Sequence, residues 1–296
     1  MKHPLFYRIS QFVGFLLGAR VFVTALLTFA LYVSTFFLFN QEESLSNFVF
    51  DFKIHGIIFC AVLSILAGGI INQFYDREKD KLTKPFRTRL QSFLKQKYFL
   101  YAYLSLNLVS LGIAFLISPR VFVFFLVYQF LMWFYSHKLS KILIINNLTF
   151  VGLTLYPFFG MLVYYRTFSL KVFLMAAFLF LMLLIIDVVK DFLTRTADKM
   201  FGYDTLPIRF GLKASRTISV ILIIVLMGIS AIIIDKTGFN SILNYYFGAG
   251  MFILIVSVYL LLRPATKNTV IVLNILRIWI FVGIIAMLFN GILTKF

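Results

Sequence analysis

Asn72-Gln73-Phe74-Tyr75-Asp76-Arg77-Glu78-Lys79-Asp80 closes an apolar run that begins near residue 55. The chain has only 11 acidic residues in 296, and three of them fall in this stretch. Asn72, Asp76 and Asp80 are spaced i, i+4, i+8, so on an α-helix each step turns about 40° and the three side chains climb one face. Such a ladder of oxygen donors suits a hard divalent cation such as Mg²⁺, which commonly shares its ligands with substrate phosphates. An isolated D-x-x-x-D is more often a solvated helix end, and here Arg77, Lys79 and Lys81 are at hand to pair with it. The rest of the chain decides between the two.

The composition is 61% hydrophobic, 19% aromatic and 13% charged, with a mean hydropathy of +0.97. A soluble domain carries about a quarter charged residues, so this is an integral membrane protein whose first partner is the lipid bilayer. A formal charge of +17 would point to nucleic acid in a soluble protein. In a membrane protein the same excess marks cytoplasmic loops, and no nucleic-acid partner is expected. The single cysteine, Cys60, lies in an apolar run and excludes an internal disulfide or thiolate metal site. The first apolar stretch is broken at Arg20 and continues to Phe39, too long for the core of a signal peptide, so no cleavable leader is expected. The abundance of Phe, Ile, Lys and Asn points to an AT-rich, bacterial genome and hence to a bacterial inner membrane.

A hydrocarbon core about 30 Å thick needs roughly 20 apolar residues per helix. That window picks out nine segments, near 19–39, 55–75, 99–118, 121–136, 143–165, 168–189, 215–234, 243–262 and 269–293. The expectation is an all-α bundle of about nine transmembrane helices, one domain over 1–296, with polar connections at 76–98 and 190–214. With the N-terminus in the cytoplasm, 21 of the 28 Lys and Arg residues fall on the cytoplasmic side, while Glu42, Glu43 and Asp51 fall on the other.

Seven acids share the basic side: Asp76, Glu78, Asp80, Asp187, Asp191, Asp198 and Asp204. In the second cluster, Asp187-Val-Val-Lys190-Asp191-Phe-Leu-Thr194-Arg-Thr-Ala-Asp198, four oxygen-bearing side chains lie within about 60° on a helix. Asp187 follows eight apolar residues, and an ionisable group at such depth is a functional candidate by default. Asp187 and Asp198 are about 16 Å apart along a helix and cannot share one ion. Two acidic clusters in a basic surround suit a polyanion held through Mg²⁺.

These stretches resemble motifs of the UbiA superfamily of intramembrane prenyltransferases. Asn72, Asp76 and Asp80 match its N-x-x-x-D-x-x-x-D, followed by a basic tail at Lys84-Pro85-Phe86-Arg87. Tyr135-Ser136-His137-Lys138-Leu139 resembles its Y-S-x-x-L/K segment, with Asn146 or Asn147 downstream. Lys190-Asp191, Asp198, Gly202, Thr205-Leu206-Pro207 and Gly211 resemble the second acidic motif and its tail. The resemblance spans at least residues 72–211.

It implies a cytoplasm-facing apolar pocket in the bundle where Mg²⁺ and a polyprenyl diphosphate bind. It implies Asn72, Asp76, Asp80, Asp191 and Asp198 as metal ligands, Asp76 and Asp191 being the catalytic pair. Lys138, Tyr135, Arg20, Lys84 and Arg87 would hold the diphosphate. Gln73 stands where many members have Asp. The family's middle aspartate of the second motif falls on Thr194, while a literal D-x-x-x-D lies one step earlier at Asp187 and Asp191. The downstream Thr-Leu-Pro favours Asp191 and Asp198, with the choice of pair left open.

The chemistry fits these residue types independently. An allylic diphosphate ionises when its leaving group is neutralised by metal, Lys or Arg, and the cation needs a dry, aromatic-lined pocket. The acceptor is open among quinone-ring precursors, a glyceryl phosphate lipid, haem and carotenoids. A terpene cyclase of similar fold is an alternative. A transporter is a more distant one, since it would place charges near the midplane within internal repeats. Reporter fusions after Glu43 and after Lys84 should report opposite sides of the membrane. The same side for both would overturn this topology.

Overall fold

The computed structural model describes residues 4–40, 44–237 and 241–295, so Lys2, Glu42 and Glu43 of the orientation argument lie outside the described residues. In chain order the helices are α1 (Pro4–Gly18), α2 (Val21–Ser34, prolonged by a π-helical turn over Thr35–Phe39), α3 (Leu45–Val49), α4 (Phe52–Thr83) and α5 (Pro85–Gln91). They continue as α6 (Gln96–Ile117), α7 (Pro119–His137), α8 (Ile145–Tyr165), α9 (Leu170–Met200) and α10 (Leu206–Arg209). The last three are α11 (Gly211–Thr237), α12 (Ile242–Leu262) and α13 (Thr266–Lys295). Among the described residues nine helices are long and apolar enough to cross a membrane, and no strand is present.

Boundaries differ from the hydropathy windows where charge begins. The windows end the second and sixth spans at 75 and 189, yet α4 runs on to Thr83 and α9 to Met200. An intrahelical N–H···O=C ladder does not stop where side chains turn polar; only the side chains' preferred surroundings change. Both acidic clusters therefore sit on rigid helix rather than in the connections expected at 76–98 and 190–214. Between α6 and α7 the turn is as tight as expected, because the Ser118 hydroxyl accepts from the Val121 N–H at 3.2 Å and Pro119 opens the new helix.

The chain divides into two compact units, one built from residues 4–32 and 44–140, the other from 33–40 and 141–295. In the first, α4 is central and packs on α5, α6 and α7. A buried polar knot ties α4, α6 and α7 together: the Ser64 and Ser110 hydroxyls lie 3.1 Å apart, Gln129 Nε2 donates to Ser64 at 3.2 Å, and Ser110 donates to the Cys60 carbonyl at 3.1 Å. Such interhelical hydrogen bonds act where lipid offers no hydrophobic drive. Small residues do the rest. A Cβ on Gly14 of α1 would sit 2.4 Å from the Leu90 carbonyl oxygen of α5, and one on Gly69 would sit 3.0 Å from that of Ala19.

The second unit is centred on α9, which packs on α8, α10, α11 and α13. Aromatic rings fill it: Tyr246 stacks on Trp279 with centroids 4.9 Å apart, and Phe178 meets Phe247 edge-on at 5.0 Å. Lys295 near the end of α13 donates to the Asn40 carbonyl at 2.9 Å, closing the π-helical turn onto that helix.

Gly14→Val should cost about 1–3 kcal/mol, the usual range for overpacking, because the obstacle is backbone of α5. A lowered midpoint of thermal unfolding in detergent reads this out. Gly152→Ala has nothing within 4 Å of the new methyl and should be neutral or stabilise by up to about 1 kcal/mol through helix propensity.

Candidate active site

In the first unit the ladder forms as its spacing requires. Asn72 Nδ2 donates to Asp76 Oδ2 at 2.8 Å, and both side chains are half-buried. Asp80, one turn on, is 3% exposed and accepts from Lys84 Nζ at 2.8 Å. Partial burial lowers the Lys84 pKa from its ordinary value; Asp80 opposes that, and the charges of Arg20 and Arg87 reinforce it. Arg87 donates to the Leu17 carbonyl at 2.7 Å, fastening α5 to the end of α1. Arg20 turns the chain from α1 into α2 with φ at +53°, a left-handed conformation that costs a non-glycine residue roughly 1–2 kcal/mol. The Nε atoms of Arg20 and Arg87 are both buried with no hydrogen-bond partner.

The Tyr-Ser-His-Lys segment comes to the same place. His137 stacks on Trp133 at 5.4 Å and meets the ring of Tyr75, beside Asp76, at 5.5 Å. Lys138 caps α7 and is exposed, Tyr135 is half-buried, and the Ser136 hydroxyl bonds back to the Met132 carbonyl. An apolar groove of about 550 Å³ runs along the same unit, edged by Thr24, Thr28 and Tyr32 of α2 and by Val62 and Leu66 of α4.

In the second unit Asp187, Asp191 and Asp198 are 4%, 4% and 1% exposed. Asn147, second residue of α8's Asn146-Asn147 pair, bridges two of them: its Nδ2 donates to Asp187 at 2.8 Å and to Asp191 at 3.0 Å. Lys190 pairs with Asp187 and lies 3.9 Å from Asp191. The Thr194 hydroxyl donates to Asp198 at 2.6 Å, so the residue standing at the expected carboxylate position serves its neighbour instead. The loop after α9 turns back onto the helix end, where the Tyr203 N–H donates to the Asp198 carbonyl at 2.9 Å, and meets the segment before α8, where the Asp204 N–H donates to the Lys141 carbonyl at 3.0 Å. Gly202, at φ +70°, supplies the left-handed turn that this needs.

Among the described residues no three His, Cys, Asp or Glu side chains converge as a ready-made metal cage. A cation such as Mg²⁺ takes one or two carboxylates and completes its shell with water and phosphate. The donor set is all oxygen, and Asn147 Oδ1 is buried with no partner. Asn147 is the residue that sequence reasoning placed without a role. Its signal was two adjacent amides in an otherwise apolar run.

The UbiA prenyltransferase family model matches residues 44–281. The chain belongs to the UbiA prenyltransferase family. It is therefore an integral membrane prenyltransferase. It is 29% identical over 211 residues to a digeranylgeranylglyceryl phosphate synthase of Methanosphaera stadtmanae, covering 71% of this chain and 77% of the relative. A Thermococcus sibiricus protein of the same name is 33% identical over 158 residues, 52% of this chain and 55% of its own length. A solved structure concerning digeranylgeranylglyceryl phosphate synthase superposes with a TM-score of 0.72 at 20% identity, covering 95% of this chain and 99% of its own. A UbiA homologue from Archaeoglobus fulgidus, bound to GPP and Mg²⁺, superposes at 0.63 with 14% identity over 93% and 99%.

Asn147→Ala should lower prenyl transfer about 100-fold, equivalent to roughly 2.7 kcal/mol. It leaves two buried carboxylates one helical turn apart without the amide between them. Steady-state diphosphate release on reconstituted protein checks this, and activity within a few-fold of the parent would overturn it.

Proposed function

We propose that this prenyltransferase carries a polyprenyl group from a polyprenyl diphosphate to a hydroxyl of a glyceryl phosphate lipid, with Mg²⁺ as cofactor. The observation that carries the reading is the pair of oxygen-donor sets on α4 and α9, each with at least one buried carboxylate and a lysine within reach. The relatives named digeranylgeranylglyceryl phosphate synthase, Methanosphaera stadtmanae among them, supply the acceptor class. These relatives are archaeal, which directs attention away from the bacterial inner membrane that composition favoured. The transporter reading falls with the family assignment.

Asn72, Asp76 and Asp80 would hold one Mg²⁺, and Asp191 with Asp198 another; the metal's contribution is to neutralise the departing diphosphate. Arg20 and Arg87, each with a buried Nε that has no partner, are suited to the remaining phosphate charge. Lys84, Lys138 and Tyr135 lie on the same unit and would complete the hold. The groove along α2 starts beside Arg20 and would take the prenyl chain, keeping water from the allylic cation. The C1–O bond to diphosphate breaks, the acceptor hydroxyl oxygen bonds C1, and the products are an ether, diphosphate and a proton. Asp187, already paired with Lys190 and Asn147, orients those two groups rather than binding metal.

The test is mass spectrometry of products from the chain in nanodiscs given geranylgeranyl diphosphate, Mg²⁺ and either a prenylated glyceryl phosphate or 4-hydroxybenzoate. Ether product with the first alone is expected, and excess chelator should abolish it. Transfer to the aromatic acid instead would overturn the acceptor, and diphosphate release without any acceptor would point to cyclisation. Asp198→Asn should lose about 100-fold or more and Asp187→Asn less. The reverse order would move the second metal one turn deeper.

A further inference from the structure

The N-terminal helix α1 has no place in the reaction described above, and its surface is unusual. One side carries Ser10, 5% exposed, and Gly14, which fits against the α5 backbone. Gln11 Nε2 adds a hydrogen bond to the Phe93 carbonyl at 3.1 Å. The opposite side carries Ile9, Phe12, Val13 and Leu17, exposed by 52%, 62%, 36% and 37%. At 100° per residue these four fall within about 140° of one another, so the uncovered face is wholly apolar.

The helix is too short to cross a bilayer: 15 residues span about 22 Å against a core of about 30 Å. A face of this kind left in water would be an aggregation liability. We infer that α1 is an in-plane membrane anchor whose apolar face sinks into the acyl boundary, with anionic lipid headgroups as its partner. Two observations fix the occupant as lipid. The apolar face is continuous with the start of a membrane span, where Phe22 and Val23 of α2 are 76% and 50% exposed. An exposed cation borders it, Arg8, which stands about 40° round the helix from Phe12. Apolar insertion with a basic residue at the rim is the pattern of an interfacial helix that favours anionic leaflets.

The anchor bears on the site through two covalent and hydrogen-bonded links. Leu17, the last exposed apolar residue, offers the carbonyl that Arg87 holds, and Arg20 follows three residues later. Lipid contact on α1 thus supports the placing of both arginines, although the contact itself assumes nothing about the reaction.

The experiment places a nitroxide at Phe12→Cys in a Cys60→Ser chain, with Ile9→Cys as a second position and Lys97→Cys as an exposed polar control. The full chain is reconstituted in vesicles of phosphatidylcholine, with or without phosphatidylglycerol. At positions 9 and 12 dissolved oxygen should relax the label more than a water-soluble nickel chelate does, and at 97 the order should reverse. Phosphatidylglycerol should deepen the label at 12, and Arg8→Gln should reduce that increment. Stronger relaxation by the nickel chelate at both 9 and 12 overturns the proposal. So does spin–spin broadening that disappears on dilution with unlabelled chain, which would make a second copy the occupant. Neither readout depends on prenyl transfer, so failure here and failure of the proposed reaction are separately visible.

Discussion

Four carboxylates buried within membrane-spanning helices are the constraint on which the polar interior depends. Asp80, Asp187, Asp191 and Asp198 are each less than 5% exposed, and an ionised carboxylate removed from water costs several kcal/mol unless donors surround it. Each therefore comes with its donors. Lys84 answers Asp80, Lys190 answers Asp187, and Thr194 answers Asp198. All three partners stand three or four residues away on the same helix or at its end, so helical register alone assembles them. Asn147 is the exception, reaching Asp187 and Asp191 from α8.

The two units hold their helices by different means. Around α4, glycines let backbones approach and a Ser–Ser–Gln knot joins α4, α6 and α7. Around α9 and α12, large rings do the packing, with Gly250 and Gly283 making room for Trp279 and Tyr246 respectively. Both solutions follow from lipid as solvent: apolar area is no longer a reason for helices to meet, so shape and hydrogen bonds decide. Helices rather than loops carry the acidic sets, which fixes the spacing between each carboxylate and its donor on the same helix.

Much was legible in the sequence, for identifiable reasons. Nine spans follow from run length because a bilayer has a fixed thickness. The Asn72–Asp76–Asp80 ladder follows from spacing because a helix has a fixed twist, and the Asn72–Asp76 hydrogen bond appears where that twist puts it. The hydropathy windows failed at the C-terminal ends of α4 and α9 because they measure solvent preference, whereas the helix is held by its backbone. They passed over α1 for a related reason, since Arg20 falls where two apolar segments meet and a window cannot see a left-handed turn.

The sequence by itself determined the class, the number of spans, the acidic clusters and the family, since all of these depend on composition and on order along one helix. Tertiary structure alone decided that Asp187 and Asp191 share one amide donor from another helix. Asp187 and Asp191 look alike on a helical wheel, and Asn146 and Asn147 look alike in the text. Only the docking of α8 on α9 turns Asn147 toward both carboxylates while Asn146 Oδ1 accepts from the Asn147 N–H. A contact between residues 40 and more apart is set by how two helices pack, and no spacing along either of them encodes it.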